Sequence, residues 1–240
     1  LSFIAKIMQL FISDCEIKWE KIILSDLEII NQIRKVLRMK IWDKFSIQNK
    51  QDPITRYQVK ILDRKDKTLH ADITEKTKLE YSEFYHRASS MIIAMPNKRE
   101  KAELIVQKLT EIWIQNIIFR PSQRSVIKVR NHQKGERLQK IAKEATEQSR
   151  GYSVPQISFS ETLPQLDGNL IVFDKTPDSI LSRKLTPSEN IIWLIWPEWW
   201  LWEQDYQKLK LSKYKIVELW NSVLRMETAA IVGWRLLKNY

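Results

Sequence analysis

The stretch Ile191–Trp202 reads IIWLIWPEWWLW and decides how the rest of the chain is interpreted. It opens as a short apolar run typical of a buried strand and passes into a turn at Pro197 and Glu198. A second stretch, Tyr214–Leu237, also opens as a short strand, passes through a turn and continues into a helical pattern. Both turns carry tryptophan where a turn ordinarily has glycine. The interpretation therefore depends on the identity of these tryptophans.

Glycine is scarce and tryptophan abundant, with 4 Gly and 10 Trp in 240 residues. An average protein contains about 7% glycine, so the composition indicates that tryptophan stands in place of glycine. Glycine at four tryptophan positions turns the two segments into GPEGG and LGNSVLRMETA. These positions are Trp196, Trp199, Trp200 and Trp220.

With that exchange the chain resembles the bacterial 16S ribosomal RNA (uracil-N3)-methyltransferase family, the RsmE-like branch of the SPOUT methyltransferases. The resemblance covers most of residues 91–231 in order and includes Lys108 with Glu111, SQRS at 122–125 and EQS at 147–149. Its departures fall almost entirely at glycine positions. The residues that match without any exchange in the two turns are Pro197, Glu198, Leu219, Leu224, Arg225, Glu227, Thr228 and Ala229.

We hypothesise that the source organism reads the UGA codon as glycine, and that this sequence was translated with tryptophan at those codons. Trp42 and Trp113 fit the same exchange, because the family has glycine after similar residues. The sequence leaves four further tryptophans unassigned, namely Trp19, Trp193, Trp202 and Trp234. The alternative is a divergent, tryptophan-rich member whose indoles fill the pocket of the family.

The net charge of +11 is unevenly distributed along the chain. The excess of basic over acidic residues is +4 in residues 1–80, +7 in residues 81–150 and zero in residues 151–240. This pattern is typical of a polyanion-binding surface beside a separate small-ligand site. A basic surface that serves only solubility would give the same totals.

Residues 8–78 are predicted to form a small β-barrel with one helix. Short strands with period-two patterns flank a helical pattern that follows Ser25 and Asp26, two residues suited to capping a helix. The resemblance implies that this barrel is PUA-like and binds RNA. Arg34, Lys35 and Arg38 are candidates for phosphate contacts, and a solvated helix face is the alternative for each.

Residues 88–240 alternate strands with helices, which predicts a parallel sheet with crossover helices in an α/β chain. The resemblance implies a SPOUT domain with a trefoil knot. It also points to Arg124 and Arg150 as RNA-facing, although this chain offers Arg150 one position before the arginine of the family. Structural ion pairs are the alternative for both.

The resemblance implies that the two turns form opposite walls of an S-adenosylmethionine pocket. A turn pressed against a nucleoside needs residues without Cβ, since glycine alone reaches positive φ cheaply and leaves room for the ligand. The residues expected at the cofactor are Leu194, Ile195, Trp196, Pro197, Glu198, Trp199, Trp200, Leu219, Trp220, Leu224, Arg225, Met226, Thr228 and Ala229.

The chemistry requires a uracil N3 that has lost its proton and a methyl donor held in line with it. Arg225 is the candidate for stabilising the anionic uracil, and Glu198 for orienting Arg225 or the cofactor. A structural partnership with Glu198 or Glu227 is the alternative role for Arg225. The sequence shows no obvious general base.

The expected function is S-adenosylmethionine-dependent methylation of a uridine N3 in 16S ribosomal RNA, as a step of ribosome biogenesis by a cytoplasmic homodimer that binds the small ribosomal subunit. An RNA-binding protein without activity is the alternative if the loop tryptophans are genuine, and cofactor titration separates the two. A membrane-surface binder is a further alternative, but the tryptophan cluster lies in the charge-neutral third of the chain.

Other features set limits on these expectations. No apolar run reaches the 18 or so residues of a membrane span. Cys15 is the single cysteine and excludes an internal disulfide, which favours a reducing compartment. The three histidines lack metal-ligand spacing, so no metal is expected. Residues 1–7 are expected to precede a start at Met8.

Overall fold

The computed structural model describes residues 9–65, 67–79, 89–120, 132–161, 169–173, 180–181, 191–195, 214–219 and 224–238. Contacts within the chain define two compact units. Unit 1 comprises Leu1–Tyr81 with Glu147–Tyr152, and unit 2 comprises Ser82–Thr146 with Ser153–Tyr240. The domain boundaries drawn from the sequence, 8–78 and 88–240, stay a prediction.

Unit 1 is built on a mixed six-stranded sheet in the order β1-β4-β5-β6-β3-β2. Strand β1 runs parallel to β4, and the other paired strands are antiparallel. The strands are β1 (Leu10–Ser13), β2 (Cys15–Lys18), β3 (Lys21–Leu24), β4 (Lys44–Asn49), β5 (Asp52–Arg64) and β6 (Leu69–Lys78).

The helical pattern DLEIINQIRKVLRM at 26–39 predicts a longer helix in unit 1 than the structure has. Helix α1 (Leu27–Asn31) passes into a π-helical turn at Gln32–Val36, and Arg38 then adopts a left-handed φ of 51°. Asp26 caps α1, because its Oδ1 accepts hydrogen bonds from the backbone N–H groups of Glu28 at 3.0 Å and Ile29 at 3.3 Å. The predicted cap at Asp26 is confirmed.

The core of unit 1 lies between this helical segment and the sheet. Ile29, Ile30 and Ile33 are buried against strand residues, and the rings of Phe11 and Phe45 meet edge to face with centroids 5.5 Å apart. This packing fixes the helical segment to the sheet.

Unit 2 contains a seven-stranded sheet in the order β11-β13-β10-β12-β7-β8-β9, and every described strand pair in it is parallel. The predicted α/β class is confirmed. The strands are β7 (Ser89–Ala94), β8 (Asn116–Arg120), β9 (Gln156–Phe159), β10 (Asn169–Phe173), β11 (Ile180–Leu181), β12 (Ile191–Ile195) and β13 (Tyr214–Glu218).

Both faces of this sheet bury apolar side chains, as a parallel sheet requires. Along β12 the side chains alternate between two clusters, with Trp193 and Ile195 in one and Ile192 and Leu194 in the other. The indole of Trp193 is 1% exposed and stacks on Phe173 with centroids 5.5 Å apart and planes 11° apart. The described helices of unit 2 are α2 (Arg99–Glu111), α3 (His132–Ser149) and α4 (Met226–Lys238).

Helix α4 packs closely against the sheet at Gly233. A Cβ at this position would lie 2.7 Å from Cε2 and Cζ of Phe173 and 3.3 Å from Cδ1 of Leu219. Because Phe173 is itself held by its stack on Trp193, the ring has little freedom to move away. Gly233 therefore sets the distance between α4 and strand β10.

We expect Gly233→Ala to lower the free energy of unfolding by about 1–3 kcal/mol, since the added methyl group overpacks a fixed ring. Gly135→Ala is the matched control on α3. Its Cβ would meet Phe159 at an ordinary 3.4 Å, and alanine favours a helix by about 0.5–1 kcal/mol over glycine. Urea denaturation measures both changes, and equal stability of the two variants would contradict this account of α4.

Candidate active site

Strands β12 and β13, which precede the two tryptophan-bearing segments in the sequence, end at the same edge of the sheet. Strand β10 lies between β12 and β13 and is parallel to both, with Phe173 in register with Ile195 on one side and with Val217 on the other. Neighbouring strands are about 4.8 Å apart, so the ends of β12 and β13 lie about 10 Å from each other. The structure thus brings together two segments that are far apart in the sequence.

This edge is formed by the carboxyl ends of parallel strands, where open α/β sheets characteristically bind ligands. Five of the expected cofactor-binding residues, Trp196–Trp200, and Trp220 lie outside the described residues, as does Glu198 in its second expected role as a catalytic residue. Their contacts stay a prediction.

Leu194 and Ile195 occupy the last two positions of β12, and both side chains are buried. Leu194 is 0% and Ile195 1% exposed, and they point into the clusters on opposite faces of the sheet. Neither side chain is therefore available to a ligand, and β12 is paired with a strand on each side at both residues.

The segment after β13 presents an apolar base beside one exposed cation. Leu219, Leu224 and Met226 are half-buried and pack against the core cluster that contains Trp193. Arg225 stands between Leu224 and Met226 with its side chain exposed. The carbonyl oxygen of Arg225 accepts a hydrogen bond from the N–H of Ala229 at 2.8 Å, so α4 begins directly after this arginine.

Two further expected residues lie in the first turn of α4 and differ in accessibility. Thr228 is exposed, whereas Ala229 is 9% exposed and belongs to the core. Thr228 can therefore offer its hydroxyl to a ligand. Ala229 can act at the site only by allowing close approach of the helix to the core.

Glu227 is held by α2. Its carboxylate pairs with the ammonium of Lys101 at 3.0 Å, which ties the start of α4 to the start of α2. Partial burial acts to raise the pKa of Glu227, but the backbone hydrogen bond at Glu227, the Lys101 ammonium and the Arg225 guanidinium together lower it below its ordinary value. Glu227 is thus a structural carboxylate with Lys101 as its partner. Sequence reasoning missed Lys101, because the pairing spans more than a hundred residues.

The family-like pair Lys108 and Glu111 forms an ion pair within α2, with Nζ and Oε1 2.9 Å apart. The two residues are three apart on one helix and so lie on the same face. The pair stabilises α2, and its charges offset each other.

The basic candidates in unit 1 differ in their contacts. Arg34 donates from Nη2 to the carbonyl oxygen of Lys65 at 2.6 Å, while Lys35 and Arg38 are exposed. Arg150 has a left-handed φ of 55°, and Arg56 Nη2 donates to its carbonyl oxygen at 3.4 Å and to that of Gly151 at 3.0 Å. Arg56, which sequence reasoning missed, therefore holds this turn by its backbone. Arg124 lies outside the described residues.

Within the described residues no three His, Cys, Asp or Glu side chains come together as a metal site. No helix of the described part is long and apolar enough to cross a membrane.

Sequence comparison relates the chain to RNA methyltransferases. Residues 86–238 match the family profile described as an RNA methyltransferase domain. Ribosomal RNA small subunit methyltransferase E of Bacillus subtilis is 30% identical over 151 residues, which are 56% of this chain and 59% of that protein. The matched part thus spans less than two thirds of the Bacillus protein.

Solved structures share the whole fold. Ribosomal RNA small subunit methyltransferase E from Neisseria gonorrhoeae, bound to S-adenosyl methionine, superposes with a TM-score of 0.79 at 18% identity and covers 97% of both chains. A predicted RNA methyltransferase from Thermotoga maritima gives a TM-score of 0.71 at 24% identity, with 96% of this chain and 98% of that one covered. At these identities the likeness establishes the architecture.

We expect Glu227→Gln to lower the stability of the protein at neutral pH and to have little effect in acid. A carboxyl whose folded-state pKa is lowered stabilises the fold above its unfolded-state pKa, about 4.3 for glutamic acid, and this contribution is lost as the pH falls through the folded-state value. Urea midpoints of wild type and variant at a series of pH values measure the difference.

Lys101→Met serves as the control, because it removes the partner and should reduce the pH dependence contributed by Glu227. A loss of stability on Glu227→Gln that is equally large at neutral and acid pH would show that the ion pair is not its cause.

Proposed function

The chain belongs to the RNA methyltransferase family, and from that premise we propose that it transfers a methyl group from S-adenosylmethionine to N3 of a uridine in the 16S ribosomal RNA of the small ribosomal subunit. The observation that carries the proposal is the register of β12 and β13 on either side of Phe173. It ends the two strands that precede the tryptophan-bearing segments at one edge of the sheet, where open α/β sheets characteristically bind ligands. The Bacillus relative named for ribosomal RNA methylation supports the substrate class.

The described residues fit an adenosine-containing cofactor. Strand β12 ends at Ile195, at the carboxyl edge of the sheet, where nucleotide-like ligands are ordinarily bound. Leu219, Leu224 and Met226 supply apolar surface next to it. We propose that these residues, with the turn at 196–200, Trp220 and Thr228, hold the cofactor, and that Ala229 lets α4 pack closely enough to do so. When bound, the cofactor supplies an electrophilic methyl group on a sulfonium.

Arg225 is proposed to stabilise the uracil anion. N3 of uracil must lose its proton before it can attack the methyl carbon, and the N–C bond would form as the S–C bond breaks, leaving a neutral thioether. The proton passes to solvent. A guanidinium placed against the ring lowers the free energy of the anion, and removing such a contact typically costs 10²–10³-fold in rate, on the order of 3–4 kcal/mol. Glu198 is proposed to orient Arg225 or the cofactor.

The RNA is proposed to contact unit 1 through exposed basic side chains. Lys35 and Arg38 are free of the tertiary contact that Arg34 makes with Lys65, so they are better placed to meet phosphates. Arg34, Arg124 and Arg150 complete the proposed basic set.

The remaining parts of the proposal concern the setting of the enzyme. We expect a cytoplasmic homodimer that needs no metal. Burial raises the pKa of the half-buried Cys15 thiol to about 11, so this single cysteine is an unreactive thiol that suits a reducing compartment. Sedimentation velocity tests the dimer directly.

Methyl transfer tests the proposal. With glycine at positions 196, 199, 200 and 220, the protein should move labelled methyl groups from S-adenosylmethionine to N3 of uridine in unmethylated small-subunit particles.

Arg225→Ala should lower kcat by about 100-fold or more with the thermal midpoint unchanged. Lys35→Ala should raise KM and leave kcat unaltered, because a phosphate contact adds affinity without touching the reacting atoms.

Arg99→Ala is the matched control, since Arg99 is also an exposed arginine of unit 2 but pairs with Glu103 at 3.0 Å on α2. It should keep full activity. Near-normal turnover of Arg225→Ala would remove Arg225 from the chemistry. Absence of transfer by the glycine form, together with retained RNA affinity, would favour the RNA-binding alternative.

A further inference from the structure

Three tryptophans adopt backbone conformations that favour glycine. Trp19, Trp42 and Trp113 have φ values of 56°, 77° and 70°, within the left-handed region where a Cβ crowds the backbone. They account for three of the five non-glycine residues with positive φ in the described part of the chain, and no described glycine has a positive φ. Glycine is thus absent from the positions that ordinarily need it.

Trp19 is the first residue of a two-residue hairpin loop. Strands β2 and β3 pair up to Lys18 and Lys21, so Trp19 and Glu20 alone form the connection. Only Trp19 of the two has a positive φ. This is the pattern of a type II′ turn, whose first central position takes glycine because the mirror-image twist matches the twist of the strands.

Trp42 occupies the third position of a four-residue turn. The N–H of Asp43 donates to the carbonyl oxygen of Lys40 at 3.1 Å, which closes a β-turn around Ile41 and Trp42. A φ of 77° at the third position defines a type II turn, and glycine is the preferred residue there. The ammonium of Lys60 lies 4.7 Å from the Trp42 ring centroid, and such a contact at an exposed site contributes little to stability.

Trp113 ends α2 in a complete Schellman motif. The N–H of Ile114 donates to the carbonyl oxygen of Leu109 at 3.1 Å, and that of Trp113 to Thr110 at 3.0 Å. Ile114 and Leu109 are both buried in the same cluster, which supplies the apolar contact of the motif. Trp113 is at the left-handed position after the cap, where glycine predominates.

Burial does not compensate these three residues for their conformation. Their exposures are 96% for Trp19, 62% for Trp42 and 39% for Trp113, although tryptophan gains stability chiefly by burying its large side chain. Arg38 and Arg150 also have positive φ, but both follow helices, and an arginine suffers no loss from exposure. Among the described residues, the non-glycine residues with positive φ are therefore these two arginines and three tryptophans that expose a large apolar side chain.

Trp193 is the opposite case. It lies in a strand, is 1% exposed and stacks on Phe173. Glycine here would leave a cavity of the size of an indole in the core of unit 2. The structure therefore divides these four tryptophans into two classes, three exposed residues in glycine-type turns and one buried residue in a strand.

We infer that the natural protein carries glycine at positions 19, 42 and 113 and tryptophan at position 193, because two different codons were both translated as tryptophan. The inference assigns Trp19 and Trp193, which the sequence pattern left open. Its extension to Trp196, Trp199, Trp200 and Trp220 rests on the proposed function, whereas the assignment of the three turns rests on backbone conformation alone.

The coding sequence and the native protein together test this inference. We expect UGA codons at positions 19, 42 and 113 and UGG at position 193. Peptide mass spectrometry of the protein from its native cells should give glycine masses at the first three positions and a tryptophan mass at the fourth. Tryptophan in the native peptides at position 19, 42 or 113, or glycine at 193, would overturn it.

A stability measurement gives an independent test that does not involve methyl transfer. In the form of the protein with tryptophan at these positions, the combined change Trp19→Gly, Trp42→Gly and Trp113→Gly should raise the thermal midpoint by several degrees. Trp193→Gly should lower the thermal midpoint, and by more degrees than the triple change raises it. A lowered midpoint of the triple variant would contradict the inference even if the protein proved to be an active methyltransferase, and inactivity of the triple variant in methyl transfer has no bearing on it.

Discussion

The parallel pairing of β12, β10 and β13 is the constraint on which the rest of unit 2 depends. Parallel pairing places the carboxyl ends of all three strands at one edge, and it requires apolar side chains on both faces of the sheet. Phe173 lies in register with Ile195 and Val217 on the two neighbouring strands, and its ring stacks on the buried Trp193. Gly233 then lets α4 pack against that ring.

Function follows from what this arrangement leaves exposed. The core takes up Leu194, Ile195 and Ala229, whereas the segment after β13 keeps the half-buried apolar residues around Arg225 and the exposed Arg225 itself. The Lys101–Glu227 pair fixes the start of α4 to α2, and with it the backbone at Arg225. Arg225, which we propose to stabilise the uracil anion, directly precedes this tied start of α4.

Much of this could be predicted from the sequence. The matches around Pro197, Glu198 and 219–229 identified the family, and the alternation of strands and helices gave the α/β class and the main strands of unit 2. Strand β2, which forms a hairpin with β3, was not predicted, because the turn between them begins with Trp19 and tryptophan is not a typical turn residue. The helix after Asp26 was predicted too long, since its period does not reveal the π-helical turn at Gln32–Val36.

Other features could not be predicted because they arise from long-range contacts. The partnership of Lys101 with Glu227 and the hold of Arg56 on the turn at Gly151 join residues about a hundred positions apart. The separation of Trp193 from Trp19, Trp42 and Trp113 needed backbone angles and burial, which the sequence does not carry. Composition alone indicated the exchange but not its positions.

The central claim is that glycine-type turns at one edge of this sheet form a cofactor site, and equilibrium binding of S-adenosylmethionine tests it most directly. Isothermal titration of the natural protein should show saturable binding at one site per chain, while the form with tryptophan at positions 196, 199, 200 and 220 should show none. Equal binding by the two forms, or no binding by a natural protein whose peptides contain glycine at these positions, would contradict the account.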